Sequence, residues 1–406
     1  MVVVLVATLA AVPSLSRAQS GAAAAPSTPA GPQAQSDAEK ARLEAEIAKE
    51  LGTSPAPSAP AAPAGTAQAP AAGTTGGNPL ARLLLMPDLS AIGSFAAAWD
   101  GYDVEALSPR PGPYGQEDRP TFLFQEVELG LRAVVDPYVR ADVFVAFTPE
   151  GAEVEEAYAT TLSLPAGLQL RAGKFFTPFG RFNQSHPHAW RFVDAPLAQH
   201  RLLAEESLSG PGVALAWLAP VPWFAELHLA AQDTQPTEED AAELTGAARL
   251  LQYASLGEAT TVGLGFSGAL RAEPGGGHRD LGGADLMVKY RPIAGRGYVT
   301  LESEVYLRRF RGLAEGNGTE HGWWAEGSWR PNAWWGAGLR YEEAPAAGEG
   351  EAGTERRAGV VGSWFASEFM RLRLQVSQDW LPGGEGGVEG LLGFEFIMGA
   401  HGAHPF

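Results

Sequence analysis

The sequence predicts an all-β fold: a transmembrane antiparallel β-barrel of 16 strands, preceded by a disordered N-terminal extension that contains one short helix. Three observations predict it. From residue 88 onward, apolar and polar residues alternate with period two, segment after segment. The candidate strands number 16, an even count, and the links between them alternate between short and long. The chain carries 50 Gly and 11 Trp, yet beyond its N-terminus no window offers the roughly 20 apolar residues of a spanning helix.

The elements follow in order. Residues 2–12 (VVVLVATLAAV) are apolar but too short to span a bilayer, and Ser16 and Ala18 supply the small residues of a cleavage site. Residues 1–18 therefore read as a signal peptide, although no positive n-region precedes the apolar run. Residues 19–85 read as an Ala/Pro-rich periplasmic linker, too poor in large apolar residues to offset its ordering entropy. Within it Ser36 and Glu39 form a capping box, Leu43, Ile47 and Leu51 repeat every four residues, and Gly52 can end the turn. That spacing predicts a helix over 36–51.

Residues 86–406 read as the barrel. Strands are expected near 89–99, 121–134, 138–148, 153–163, 168–175, 211–219, 222–232, 246–255, 260–271, 282–292, 297–310, 319–330, 333–343, 355–366, 368–380 and 387–399. In the second, Leu123, Val127, Leu129, Leu131 and Ala133 share one face, with Phe124, Glu126, Glu128, Gly130 and Arg132 on the other. Short links such as Asp136-Pro137 and Pro331-Asn332 alternate with longer polar ones such as 100–120 and 272–281. A soluble sandwich would have no reason to sort its links by length. Trp99, Tyr138, Trp217, Trp223, Tyr290, Tyr298, Trp323, Trp329, Trp335 and Trp380 sit near strand ends, where aromatic girdles lie. In the last strand Leu392, Phe394, Phe396 and Met398 share a face opposite Glu395, and the chain ends on Phe406.

Composition excludes other classes. The formal charge is -18, which argues against a nucleic-acid partner. With no Cys there is no disulfide framework, thiolate metal site or Cys nucleophile. No Gly-x-Ser-x-Gly elbow, phosphate loop or His-Glu-x-x-His occurs, and Ser185 beside His186 is adjacency without geometry. No enzyme and no cofactor is expected.

The fifth expected strand runs into Gly173-Lys-Phe-Phe-Thr-Pro-Phe-Gly180. With the export signal, the short helix and the 16 strands, this stretch resembles the phosphate-selective porin O and P family, as a distant member. The resemblance covers about residues 85–406 in pattern and about ten residues in motif. It implies a bacterial outer-membrane porin, a third loop folded into the barrel at 176–210, passive diffusion of small hydrophilic solutes or ions, contact with outer-membrane lipid, and a homotrimer. Leu89, Ala91, Gly93 and Ala97 on the outward face of the first strand are mostly small and suit a close subunit contact.

Alternation predicts which charges line the lumen: Arg132, Arg140, Arg171, Lys289, Arg291, Arg308, Arg330, Arg340, Arg371 and Arg373 against Glu126, Glu128, Asp142, Glu156, Asp285, Glu302, Glu304, Glu326 and Glu395. The signs nearly balance, which predicts a transverse field and weak selectivity. The third-loop stretch supplies the expected constriction: Lys174, Arg181, His186, His188, Arg191, Asp194, His200, Arg201, Glu205 and Glu206. His186, His188 and His200, with Asp194 and Glu205, could also hold a divalent cation, which gives a metal-linked uptake protein as the alternative.

Overall fold

The computed structural model describes residues 87–100, 121–204, 207–235, 242–273, 276–293, 295–313, 316–346, 353–382 and 386–399. The expected export signal, the helix at 36–51, the chain end at Phe406 and loop residues Glu205 and Glu206 lie outside them.

The described residues form a closed barrel of sixteen antiparallel strands. In chain order these are β1 (Asp88–Asp100), β2 (Thr121–Asp136), β3 (Val139–Thr148), β4 (Gly151–Thr161), β5 (Leu168–Phe176), β6 (Ser209–Leu218), β7 (Phe224–Thr234) and β8 (Glu243–Leu256). Then follow β9 (Thr260–Ala272), β10 (His278–Tyr290), β11 (Tyr298–Leu313), β12 (Gly316–Arg330), β13 (Trp335–Pro345), β14 (Thr354–Ser367), β15 (Met370–Trp380) and β16 (Gly386–Gly399). Each strand pairs with its sequence neighbours, and β1 closes the ring on β16 from Ser90↔Gly399 to Asp100↔Glu389. Closure leaves no open edge, which is the condition for a sheet to cross a bilayer. One short helix, α1 (Leu197–Leu202), lies in the link from β5 to β6.

The outer wall is apolar. Leu129, Leu215, Leu250, Phe266, Leu301, Leu307, Leu339, Val360 and Leu374 are all exposed. Exposed aromatic residues gather at the turn end, including Tyr138, Trp217, Trp223, Tyr290, Trp329 and Trp335, while Trp99 and Trp380 mark the loop end. Tyr298 departs from this belt. Its register places it on the lumen face, with the Lys289 ammonium 4.6 Å from its ring centre.

The turns have local causes. Asp136 Oδ1 accepts hydrogen bonds from the Tyr138 and Val139 backbone N–H at 2.7 and 2.9 Å, which closes the β2–β3 turn. Asn332 Oδ1 does the same for Trp334 and Trp335 between β12 and β13.

Register shifts fall at five places, three of them near strand ends, and two within the wall bear on the faces predicted from alternation. The register of β1 on β2 jumps from Ser94↔Glu126 to Phe95↔Phe124, which leaves Gln125 over. The sequence-predicted faces of Leu123 and Phe124 are therefore exchanged, because one extra residue flips every side chain beyond it. Leu123 packs inward near Ala96, Ala98, Val193 and Leu391, while Phe124 faces out with its ring 5.4 Å from Phe95. The register of β3 on β4 jumps from Phe144↔Glu156 to Val145↔Val154, which leaves Glu155 over.

The outward face of β1 also differs from its expected use. The space above Gly93 is filled by this chain's own Phe396, whose ring would stand 2.6 Å from a Cβ there. Phe95, Phe124, Phe394 and Phe396 make an aromatic patch instead of a small-residue gap.

Candidate functional site

The link from β5 to β6 runs inside the barrel and touches most of its wall. Its entry is the Gly-Lys-Phe-Phe-Thr-Pro-Phe-Gly stretch. Gly180 has φ +60 and stands so close to Glu304 that a Cβ would meet Oε2 at 3.0 Å. The positive φ together with that close approach favours Gly here. The turn aims the backbone N–H groups of Arg181 and Phe182 at Glu304 Oε1, the second at 2.9 Å, and the Gly180 N–H at Ser267 Oγ, 3.0 Å. Asn183 then ties entry to exit. Its Nδ2 donates to the Thr177 and Leu208 carbonyls at 2.9 and 3.0 Å, and its Oδ1 accepts from the Leu208 N–H at 2.7 Å.

An apolar core seats the loop. Phe179, Leu197, Ala198, Leu202, Leu203, Ala204 and Leu208 pack on wall residues Ala247, Ala269, Tyr306, Trp324 and Ala344. α1 is too short to stand alone, and its burial on this wall holds it. Phe192 lies against the Arg340 guanidinium, 4.2 Å from the ring centre.

The charged residues form four anchors. His186 Nδ1 faces Glu128 Oε2 at 2.9 Å and Glu155 Oε2 at 3.3 Å, and its Nε2 faces Glu156 Oε2 at 3.0 Å. His188 Nδ1 lies 3.3 Å from Glu128 Oε2. Burial works against the imidazolium, but the carboxylates of Glu128, Glu155 and Glu156 around it outweigh it, so His186 titrates well above its ordinary value. Arg191 holds Glu302 at 2.6 and 3.1 Å and Glu326 at 3.1 Å. Asp194 is fully buried and receives Arg340 Nη2 at 2.5 Å, Arg357 Nη1 at 2.9 Å and Gln375 Nε2 at 2.9 Å. Arg371 and Arg373 share Glu395 and also donate to loop carbonyls: Arg371 to His188 and Trp190, Arg373 to Trp190 and Phe192.

Of the other expected loop residues, Arg181 donates to Tyr253 Oη at 2.8 Å and faces Asp285 at 3.8 Å. Arg201 faces Glu355 at 3.4 Å, and His200 sits on α1. Among the described residues, the His and carboxylate atoms that converge are those of Glu128, Glu155 and His186, so His200 and Asp194 do not join them. Lys174 is also corrected. It stands in register with Ala157, on the opposite face of β5 from Arg171, and pairs with Glu153 at 2.9 Å rather than lining the constriction.

On the wall, Asp142 binds Arg132 at 2.5 Å and Arg140 at 2.9 Å. Arg171 lies over the Tyr158 ring at 4.3 Å, and Arg308 pairs with Glu320 at 2.6 Å. Arg330 lies over the Phe365 ring at 3.8 Å. Glu126 is buried on the lumen face beside Glu128. Arg291 is a correction: β10 ends at Tyr290, so Arg291 stands exposed in the following turn, its N–H on the Ala259 carbonyl. Sequence reasoning missed Glu155, Arg249 and Arg357. Arg356 and Arg357 are adjacent, and alternation alone does not say which enters the lumen; the structure turns Arg357 in and Arg356 out.

No family model matches the sequence. An uncharacterized protein of Aquifex aeolicus (strain VF5) is 35% identical over 158 residues, 36% of this chain and 34% of the relative. The chain thus spans about a third of the length of that relative. The barrel is similar to an anion-selective porin from Comamonas acidovorans (TM-score 0.55, 11% identity, 77% of this chain and 99% of that one). It is similar too to the outer membrane channel DcaP of Acinetobacter baumannii (TM-score 0.54, 12% identity, 77% and 97%). A trimer form of OmpT, an outer membrane protein of Vibrio cholerae, gives a TM-score of 0.50 at 12% identity, with 77% and 99% covered. The likeness is one of fold: a closed antiparallel barrel of sixteen strands, the architecture of these porins and channels.

Proposed function

We propose that the chain is an outer-membrane porin that passes small hydrophilic solutes or ions by diffusion, with the third loop as its constriction and a weak preference for anions. The carrying observation is an asymmetry of exposure at two lumen clusters, Arg132 and Arg140 with Asp142 and Arg191 with Glu302 and Glu326. Arg132, Arg140 and Arg191 leave 29%, 31% and 34% of their side chains open, while Asp142 leaves 0% and Glu326 7%. At these two clusters solvent meets guanidinium more than carboxylate, whereas Arg308 and Glu320 expose 19% and 34%. Paired charges nearly cancel at long range, so the preference is weak. No chemical step or cofactor is needed. Solved proteins with this fold carry the names of porins and channels, which supports the reading.

The finer placement, a distant member of the phosphate-selective porin O and P family, rests on Gly173–Gly180 and its role as loop entry. A homotrimer would use the aromatic patch on β16, β1 and β2, and cross-linking in native membranes tests it; monomers alone would refute it. The function itself is tested by single-channel recording of the refolded chain in a planar bilayer. Ohmic steps, with a reversal potential favouring chloride in a KCl gradient, are expected. A folded barrel without conductance would overturn the proposal.

A further inference from the structure

The anchor at His186 carries more than a loop contact. Four groups converge there from separate elements: Glu128 from β2, Glu155 and Glu156 from β4, and His186 from the loop. Glu128, Glu156 and His186 are buried, and Phe144 and Phe176 flank the imidazole with ring centres at 5.2 and 4.6 Å. Three carboxylates therefore share one imidazole in a water-poor site. One N–H at Nδ1 cannot point at both Glu128 Oε2 and Glu155 Oε2, and neither oxygen meets a well-aligned donor. Buried negative charge of this density calls for a cation.

The geometry points to which one. We propose that His186 Nδ1, Glu128 and Glu155 bind a divalent transition cation of the Zn²⁺ class, which clamps the third loop to the β2–β4 wall. The three donor atoms lie within 4.8 Å of one another. Donors about 2.1 Å from a tetrahedral zinc stand about 3.4 Å apart, close to the 2.9 and 3.3 Å between Nδ1 and the two carboxylate oxygens. His188 Nδ1, beside Glu128 Oε2, is placed to complete the set. The remaining atoms look like the support of a metal site. A metal-bound imidazole usually turns its second nitrogen to a carboxylate, and here Nε2 faces Glu156 Oε2. Glu156 is itself fixed, since its Oε1 accepts the Phe176 N–H at 2.9 Å. A mixed nitrogen and carboxylate set favours Zn²⁺ over Ca²⁺ or Mg²⁺. Entry of the ion displaces the proton at Nδ1. The inference depends on where the loop sits and not on conductance, so it can fail while the porin reading stands.

The test uses the untagged, refolded full chain, stripped with chelator and dialysed against Zn²⁺ alone, with bound metal counted by mass spectrometry and folding checked by heat-modifiable gel mobility. One Zn²⁺ per chain is expected. Glu155→Gln should weaken binding at least tenfold, and Glu156→Gln, which faces Nε2 and not Nδ1, should weaken it about tenfold at unchanged stoichiometry. Because the wild-type measurement stands alone, a variant that fails to fold does not spare the proposal. A folded wild-type chain without stoichiometric Zn²⁺ would overturn it and leave a histidinium contact only. Binding unchanged in both Glu155→Gln and His186→Gln would overturn it too, by placing the ion elsewhere.

Discussion

If the passage conducts as proposed, replacing Arg132 and Arg140 by Gln should turn its weak anion preference into a cation preference. These two guanidinium groups share one carboxylate, Asp142, so the cluster carries one net positive charge. The double variant removes two charges and keeps side chains that can donate to Asp142. A monovalent ion about 7 Å from a unit charge in water feels about 0.6 kcal/mol. In 0.1 M salt, with a Debye length of about 10 Å, screening halves this. Two charges then move each ion by about 0.6 kcal/mol, in opposite directions for the two signs. The cation-to-anion permeability ratio should rise roughly sevenfold. Asp142→Asn removes one negative charge and should shift the ratio about threefold the other way.

Reversal potentials across a tenfold KCl gradient read both shifts. Repeating them at 1 M salt should shrink the effect, because the Debye length falls to about 3 Å. Ratios that stay within twofold of wild type in both variants would refute the reasoning, since the ions would not then pass along the β2–β3 wall. Shifts of the same sign would refute the assignment of the cluster's charge.

Asp194→Ala should take one shared partner from Arg340 and Arg357, which keep Glu342, Asp379 and Glu389, destabilise loop seating by about 1–3 kcal/mol, and appear as larger, noisier single-channel steps. Leu197→Ala empties a fully buried loop position and should loosen the loop by about 2–5 kcal/mol, read as faster proteolysis within 177–208. Gly390→Ala should lower the unfolding temperature of the barrel on gels, because a Cβ there would stand 1.9 Å from the Trp99 indole; overpacking of this kind costs about 1–3 kcal/mol.

The strands were legible because each face has its own solvent, and a period of two survives small errors in bounds. Where bounds differed, local pairing explains it. β10 begins at His278 rather than near 282, since Arg279 pairs with Glu273 and Asp280 with Arg311, which lets a polar stretch continue the sheet past the apolar belt. The charges of the third loop were legible as residue types. Their partners were not. Which strand faces Arg191 or Asp194 depends on how a 30-residue-scale link folds across the lumen, and periodicity carries no information about that. Asn183 shows the same gap: an ordinary polar residue in sequence, it closes the loop on itself through four buried hydrogen bonds.

The bulge on β4 shows why the proposed cation site was the least legible part. Strict alternation lets a strand send only every second side chain inward, so adjacent Glu155 and Glu156 should face opposite ways. Facing the lipid, one of them would meet the membrane as an ionised carboxylate, at a cost of a few kcal/mol. The extra residue at Glu155 turns both inward, one to each nitrogen of the same imidazole. Bulges are over-represented beside functional sites because they re-aim a side chain without breaking the ladder elsewhere. Two neighbouring carboxylates in an otherwise alternating strand are therefore a signal in their own right. Either the strand is bulged there or its register is misread, and only the first puts three carboxylates around one loop histidine.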